Sequence, residues 1–215
     1  MTLELFGHPF SSYTQKVLIA LWANGTDFEY RMVEDPGVMD ELRRHSPFGL
    51  FPLLLDHGQP VIESTPIIEH LQAHYPGPNV WIPEGEAGRR TRLLDRFFDL
   101  YVMGQMQVPV ADKLRPDGMQ DPFGVKRARE RLHIAYDWLE GEIGEPFAIG
   151  EPFTLADCAA APSLFYADWV EEIGDSRPKL KAYRARLLQH PAVARAVDEG
   201  RPFRHYFPLG APDRD

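Results

Sequence analysis

With 215 residues, 44% of them hydrophobic and 26% charged, the chain has the make-up of a globular protein able to bury one or two cores. Its 23 basic residues against 32 acidic ones, a formal net charge of -9, argue against nucleic acid or an anionic membrane as the main partner. The single cysteine, Cys158, excludes an internal disulfide and a multi-thiolate metal site, and no apolar run approaches the roughly 18 residues of a membrane helix. No metal and no membrane association are expected. The opening MTLELFGHPF lacks the basic start and long apolar stretch of a signal peptide, so a reducing, cytoplasmic setting is expected.

Residues 2–6 (TLELF) alternate apolar and polar side chains, the pattern of a half-buried strand. Over 13–23, Val17, Leu18, Leu21 and Trp22 fall at helical spacing, and Asn24–Gly25 supplies a stop. Residues 28–33 alternate again, and 37–46 predict a short helix. The runs 52–56 and 60–64, joined across DHGQ, read as a hairpin. A helix follows over 65–75, with Pro66 in its first turn, where a missing N–H costs little. The order β-α-β-α-β-β-α describes a small mixed sheet covered by helices, a first domain over 1–76.

Residues 77–88 are rich in proline and glycine, show no period and predict a linker. Beyond them come helical patterns at 89–114, 122–143, 154–172, 178–189 and 191–199, with no convincing strand. Residues 89–215 are therefore expected to form an all-α domain. Cys158 sits in an alanine-rich stretch and is expected to be a buried small hydrophobe.

Three places in the first domain carry chemistry. In FSSYTQKV, Ser11 and Ser12 stand just before a helix, where a hydroxyl satisfies an unpaired first-turn N–H. The same helix end favours a negative charge beside it, so a thiol bound there would lose its proton more readily. In SPFGLFPLLLD, Pro52 precedes an apolar strand. A trans proline merely starts the strand, the reading the local sequence favours; a cis Phe51–Pro52 bond would free the Phe51 backbone for an extended ligand. In ESTPIIEHL, Ser64 or Thr65 is a natural helix cap, yet Glu63, Ser64 and Thr65 together also suit an amino-acid end. Its carboxylate would take the N–H groups and a hydroxyl, and its ammonium would take Glu63.

Taken together these three places resemble the glutathione transferase family, over nearly the whole chain. The family joins a thioredoxin-like β-α-β-α-β-β-α domain, with a cis-proline before its third strand and a Glu/Gln-Ser pair opening its third helix, to an all-α domain. FTLADCAAAPSLF, at 153–165, is similar to the family's capping box, with Thr154 as cap, Asp157 reaching back and Phe153 as the apolar staple. The run SSYTQKVLIAL looks most like the zeta, theta-like and related serine-type classes. Phe6–Gly7 stands where other members carry tyrosine, and Ser11 where others carry cysteine.

The resemblance implies a glutathione-dependent transferase, with possible peroxidase chemistry, in which Ser11 hydrogen-bonds the glutathione sulfur and Ser12 lies within reach of the ligand. Phe51 would pair its backbone with the cysteinyl part, Pro52 would be cis, and Glu63, Ser64 and Thr65 would hold the γ-glutamyl end. Leu50 departs from the glutamine or lysine that many relatives place there for the glycine carboxylate; His45 is the alternative, and also fits a solvated helix end. A small hydrophobic electrophile would meet Phe10 and Tyr13, with Met103, Met106 and Tyr166 as walls contributed by the helical domain. Those three also suit the core. The aromatic tail from Arg201 either folds over that pocket or lies on the surface. A homodimer is implied. An isomerase, a dehalogenase or a non-catalytic binding or regulatory member on the same fold remains open.

Overall fold

The computed structural model describes residues 3–215; Thr2, expected in the first strand, lies outside the described residues. The sheet has the order β2-β1-β3-β4. β1 (Leu3–Gly7) runs parallel to β2 (Phe28–Met32), with Leu3 opposite Phe28 and Gly7 opposite Met32. It runs antiparallel to β3 (Leu53–Asp56), which pairs in turn with the edge strand β4 (Gln59–Ile62). A parallel pair needs a crossover, and α1 (Ser12–Ala23) supplies it. Pro60 is tolerated because β4 has a free edge.

Alternation along β1 assigns the two faces. Leu3 and Leu5 join the core that includes residues of α1 and of α3 (Ser64–His74). Phe6 points the other way, into a smaller cluster with Leu53, Leu55 and, from α2 (Val38–His45), Val38 and Leu42. On that second face Glu4 pairs with Arg31, which also reaches Glu41 of α2 at 2.6 Å.

The rest of the chain is helical apart from one isolated bridge, Phe147 to Gly150. Its helices are α4 (Gly85–Phe97), α5 (Gly104–Lys113), α6 (Pro122–Glu142), α7 (Leu155–Val170), α8 (Pro178–Gln189) and α9 (Pro191–Gly200). Every residue of α7 except Trp169 is buried, as befits a helix apolar on nearly all sides. Cys158 is among them, and burial pushes its thiol pKa well up. No helix among the described residues is long and apolar enough to cross a membrane.

Two expectations need correction. First, α4 begins at Gly85, inside the stretch read as linker. The glycines there open the helix: Gly85 adopts φ 62°, and a Cβ on Gly88 would lie 1.9 Å from the Pro83 carbonyl oxygen. Second, the pattern at 89–114 is two α-helices joined by a π-helical turn, Phe98–Met103. Widened turns of this kind leave the apolar periodicity nearly intact, so the sequence does not show them.

The capping box at the start of α7 extends into a larger network. Asp157 accepts the Thr154 N–H and hydroxyl at 2.8 and 3.0 Å, and the Ala148 N–H and Tyr183 hydroxyl at 2.8 Å each. Asp157→Ala strands four donors in the interior and is expected to cost about 3 kcal/mol or more. A matching fall in the urea midpoint, with unchanged slope, checks it.

Candidate functional site

Three chain segments meet around one cleft of about 750 Å³. The first is the start of α1. Ser11 is its N-cap, with φ -84° and ψ 124°; its Oγ accepts the Thr14 N–H at 3.3 Å, while its own N–H donates to the His8 carbonyl at 2.9 Å. A hydroxyl that accepts the cap bond still has its proton to donate. Ser11 is half-buried and Ser12 buried. Close approach of β1 to this turn requires Gly7, where a Cβ would stand 2.4 Å from Thr14 Cγ2.

The second segment is the entry to β3, where the Phe51–Pro52 bond is cis. Ser46 Oγ accepts the Leu50 N–H at 3.2 Å, and no described group hydrogen-bonds the Phe51 main chain. The third is the start of α3. Glu63 precedes it with φ 71°, a left-handed conformation that costs a residue with a side chain on the order of 1–3 kcal/mol. Strain of that kind persists where surrounding structure enforces it, commonly at ligand sites.

Tyr13, Phe51, Pro52, Glu63, Ser64 and Thr65 all line the cleft. Ser11 and Ser12 are absent from its lining but adjoin Tyr13 on the same helix end. Phe10, Met103, Met106 and Tyr166 do not line it. Met103, Met106 and Tyr166 are buried in the larger core, because the π-helical turn, α5 and α7 present those positions inward. Tyr166 instead supports the loop before Ser11. Its hydroxyl donates to the Phe10 carbonyl at 3.0 Å, and its ring meets the Phe10 ring edge-on at 5.3 Å. Gln15 Nε2 adds bonds to the Pro9 carbonyl at 2.8 Å and to the Tyr166 hydroxyl at 3.2 Å.

Lys16, Asp95 and Asp99 were not anticipated. The Lys16 ammonium lies 2.6 Å from Asp95 Oδ1, 2.8 Å from Asp99 Oδ2 and 2.9 Å from the Thr65 hydroxyl, with the Lys16 and Asp95 side chains only 1% and 3% exposed. Thr65 donates in turn to Asp95 Oδ2 at 2.9 Å. One signal was available: a lysine on a helix whose neighbours Val17, Leu18 and Ile19 are all apolar, and two aspartates four residues apart.

Glu63, Glu69, Asp95 and Asp99 line the cleft together with Arg92 and Arg96, so carboxylates and guanidiniums share its wall, and the buried Lys16 ammonium pairs with Asp95 and Asp99. Burial pushes the Asp99 carboxyl up; Lys16 opposes this, and Asp95 and Glu63 reinforce it. Burial, helped by Asp99 and Glu63, raises the Tyr13 phenol to about 12, so Tyr13 remains protonated. The described residues contain no cluster of three or more His, Cys, Asp or Glu able to hold a metal.

Family models for the glutathione S-transferase N-terminal and C-terminal domains match residues 5–79 and 122–186. Human glutathione S-transferase theta-2 is 30% identical over 197 residues, 87% of this chain and 81% of that protein. A probable maleylacetoacetate isomerase of Vibrio cholerae is 29% identical over 94% of this chain and 98% of its own length. In fold, the chain is similar to a glutathione S-transferase from Methylobacterium radiotolerans solved with glutathione sulfonate. The TM-score is 0.79 at 23% identity, over 92% of this chain and 95% of that one.

Lys16→Met would leave the buried Asp95 carboxylate and the half-buried Asp99 without their cation. The expected loss is about 3–5 kcal/mol, measured by urea denaturation at neutral pH.

Proposed function

The chain belongs to the glutathione S-transferase family, and on that footing we propose that it binds glutathione in the cleft and activates the thiol for attack on a small apolar electrophile. The observation that carries this reading is the convergence of the α1 N-terminus, the cis Phe51–Pro52 bond and the Glu63–Ser64 pair around one cavity. In it, Ser11 donates its free hydroxyl proton to the glutathione sulfur, and the positive end of α1 favours the thiolate. Ser12 lies beside it in the first turn. The thiolate attacks an electrophilic carbon, expelling a halide, opening an epoxide or adding across an activated double bond, or attacks a peroxide oxygen, breaking the O–O bond to give the sulfenic acid and an alkoxide that takes up a proton.

The Phe51 N–H and C=O pair with the cysteinyl backbone as an added strand would. Glu63, backed by Asp99, takes the γ-glutamyl ammonium; the Ser64 hydroxyl and the first-turn N–H groups of α3, that of Thr65 among them, take its carboxylate. Tyr13 borders the electrophile's side. His45, at the last turn of α2, is the candidate partner for the glycine carboxylate.

A cytoplasmic homodimer is part of the reading. Phe48 and Leu50, 83% and 63% exposed, stand with Leu100 on the rim of the cleft, and one subunit's first domain against its partner's helical domain would cover them. Leu50 also supports a second reading, a non-catalytic binding or regulatory module on the same fold. It places an apolar side chain where the glycine carboxylate would be met.

Ser11→Ala is expected to lower kcat/KM with a glutathione-linked electrophile about a hundredfold, the cost of removing one preorganised donor. Glutathione affinity should change little. Glu63→Ala should do the reverse, weakening glutathione binding about tenfold or more, measured calorimetrically, because a charge-assisted bond to the ligand is lost. A panel of halides, epoxides, enals, peroxides and maleyl compounds separates the transferase from the isomerase. No heat of binding to glutathione would overturn both.

A further inference from the structure

His8, in the loop between β1 and α1, is 8% exposed and bonds to Phe10, Ser11 and Thr14 around the cap. Its Nδ1 accepts the Phe10 N–H at 3.1 Å, its carbonyl accepts the Ser11 N–H at 2.9 Å, and its own N–H reaches Thr14 Oγ1 at 3.4 Å. An accepting Nδ1 places the neutral ring's proton on Nε2. That nitrogen lies 3.4 Å from Glu34 Oε1 in the turn after β2, without hydrogen-bond alignment. The ring is enclosed by the terminal 3-10 helix (Arg201–Tyr206), edge-on to Phe203 at 4.7 Å and tilted to Tyr206 at 5.9 Å. The aromatic tail thus covers the loop before Ser11.

We propose that His8 is a positioning residue for the Ser11 hydroxyl: its neutral ring anchors the Phe10–Ser11 loop through Nδ1, and protonation of that nitrogen releases the loop and turns the site off in acid. The inference rests on the glutathione reading above for its functional consequence, and on geometry alone for the anchor. A protonated Nδ1 is a donor facing the Phe10 N–H, so the bond is replaced by repulsion between two donors. Protonation also draws the ring toward Glu34, away from the loop.

The groups facing the ring are few. Glu34 is its only charged neighbour from β2 and the turn beyond; the Tyr206 hydroxyl, from the terminal helix, faces the same Glu34. Arg201 and Arg204 of that helix are tied to Asp215, and His205 Nδ1 lies 3.0 Å from the Pro202 carbonyl. Burial pushes the His8 pKa below its ordinary 6.5, with a smaller upward pull from Glu34. The unfolded chain therefore takes up this proton at higher pH than the folded one. His8's contribution to stability is complete above 6.5 and is lost as pH falls from there toward the folded value.

Two variants separate anchor from charge. His8→Asn keeps an acceptor where Nδ1 stands and cannot titrate; His8→Ala has neither property. By NMR without glutathione, the Phe10 amide resonance of the unmodified protein should follow the His8 ring as pH falls, and that movement should vanish in His8→Asn. With glutathione bound, thiolate absorbance in the ultraviolet should fall on the acid side with about two protons in the unmodified protein and about one in His8→Asn. His8→Ala should show about tenfold lower kcat/KM with chlorodinitrobenzene at neutral pH, from a displaced Ser11, and His8→Asn should restore it. A Phe10 amide indifferent to the ring's titration, or matching acid limbs in His8→Asn and the unmodified protein, overturns the proposal. Should the amide titrate as expected while glutathione fails to bind at any pH, the anchor stands and the glutathione reading falls.

Discussion

A lysine ammonium with almost no access to water must be surrounded by acceptors, and Lys16 finds them on three different segments. Asp95 comes from α4, Asp99 from the π-helical turn and Thr65 from α3, while Lys16 itself belongs to the helix that Ser11 caps. The buried charge therefore fixes the site helix against both the α3 N-terminus and the first helix of the all-α half. Two aspartates to one lysine leave that cluster one carboxylate in excess, and Glu63 stands near it in a lining that also carries Arg92 and Arg96. The group that joins the two halves of the molecule also places two of the cleft's charges.

Around that junction the site uses backbone ends more than reactive side chains. α1 and α3 both begin near the cleft, and each brings first-turn N–H groups with no helical partner. Phe51 offers its main chain beside them. Glu63 is held at a positive φ immediately before α3, so a strained residue and a helix N-terminus coincide. In the proposed reading, such an arrangement would recognise a peptide-like ligand by its backbone and its charged ends and leave its thiol to the cap hydroxyl. Cap and donor are compatible in Ser11, because the oxygen accepts one bond while its proton remains free.

Much of this was legible in the chain. The alternation of β1, the apolar face of α1, the hairpin and the FTLAD cap are local patterns read over a few residues, and each marks an element of the structure. The convergence of Ser11, Pro52 and Glu63–Ser64 was legible only as a set, since each alone describes an ordinary cap or strand start. Lys16 is not marked by the sequence as a buried charge, because a lysine within a helix usually reaches water and no local feature says that α4 will cover it. Met103, Met106 and Tyr166 lie at helical spacing that suits a pocket wall as well as a core; only the packing of α5 and α7 decides between them.

What the sequence determined by itself was the order of elements, the all-α second half and the start and cap of each site helix, because short-range periodicity and cap chemistry are properties of neighbouring residues. What the tertiary structure decided was which of those residues share a cavity, where the buried lysine finds its counter-charges, and that the aromatic tail closes on His8. Those outcomes join residues tens to nearly two hundred positions apart, and the burial that gives a charge its energetic weight exists only once the helices have packed.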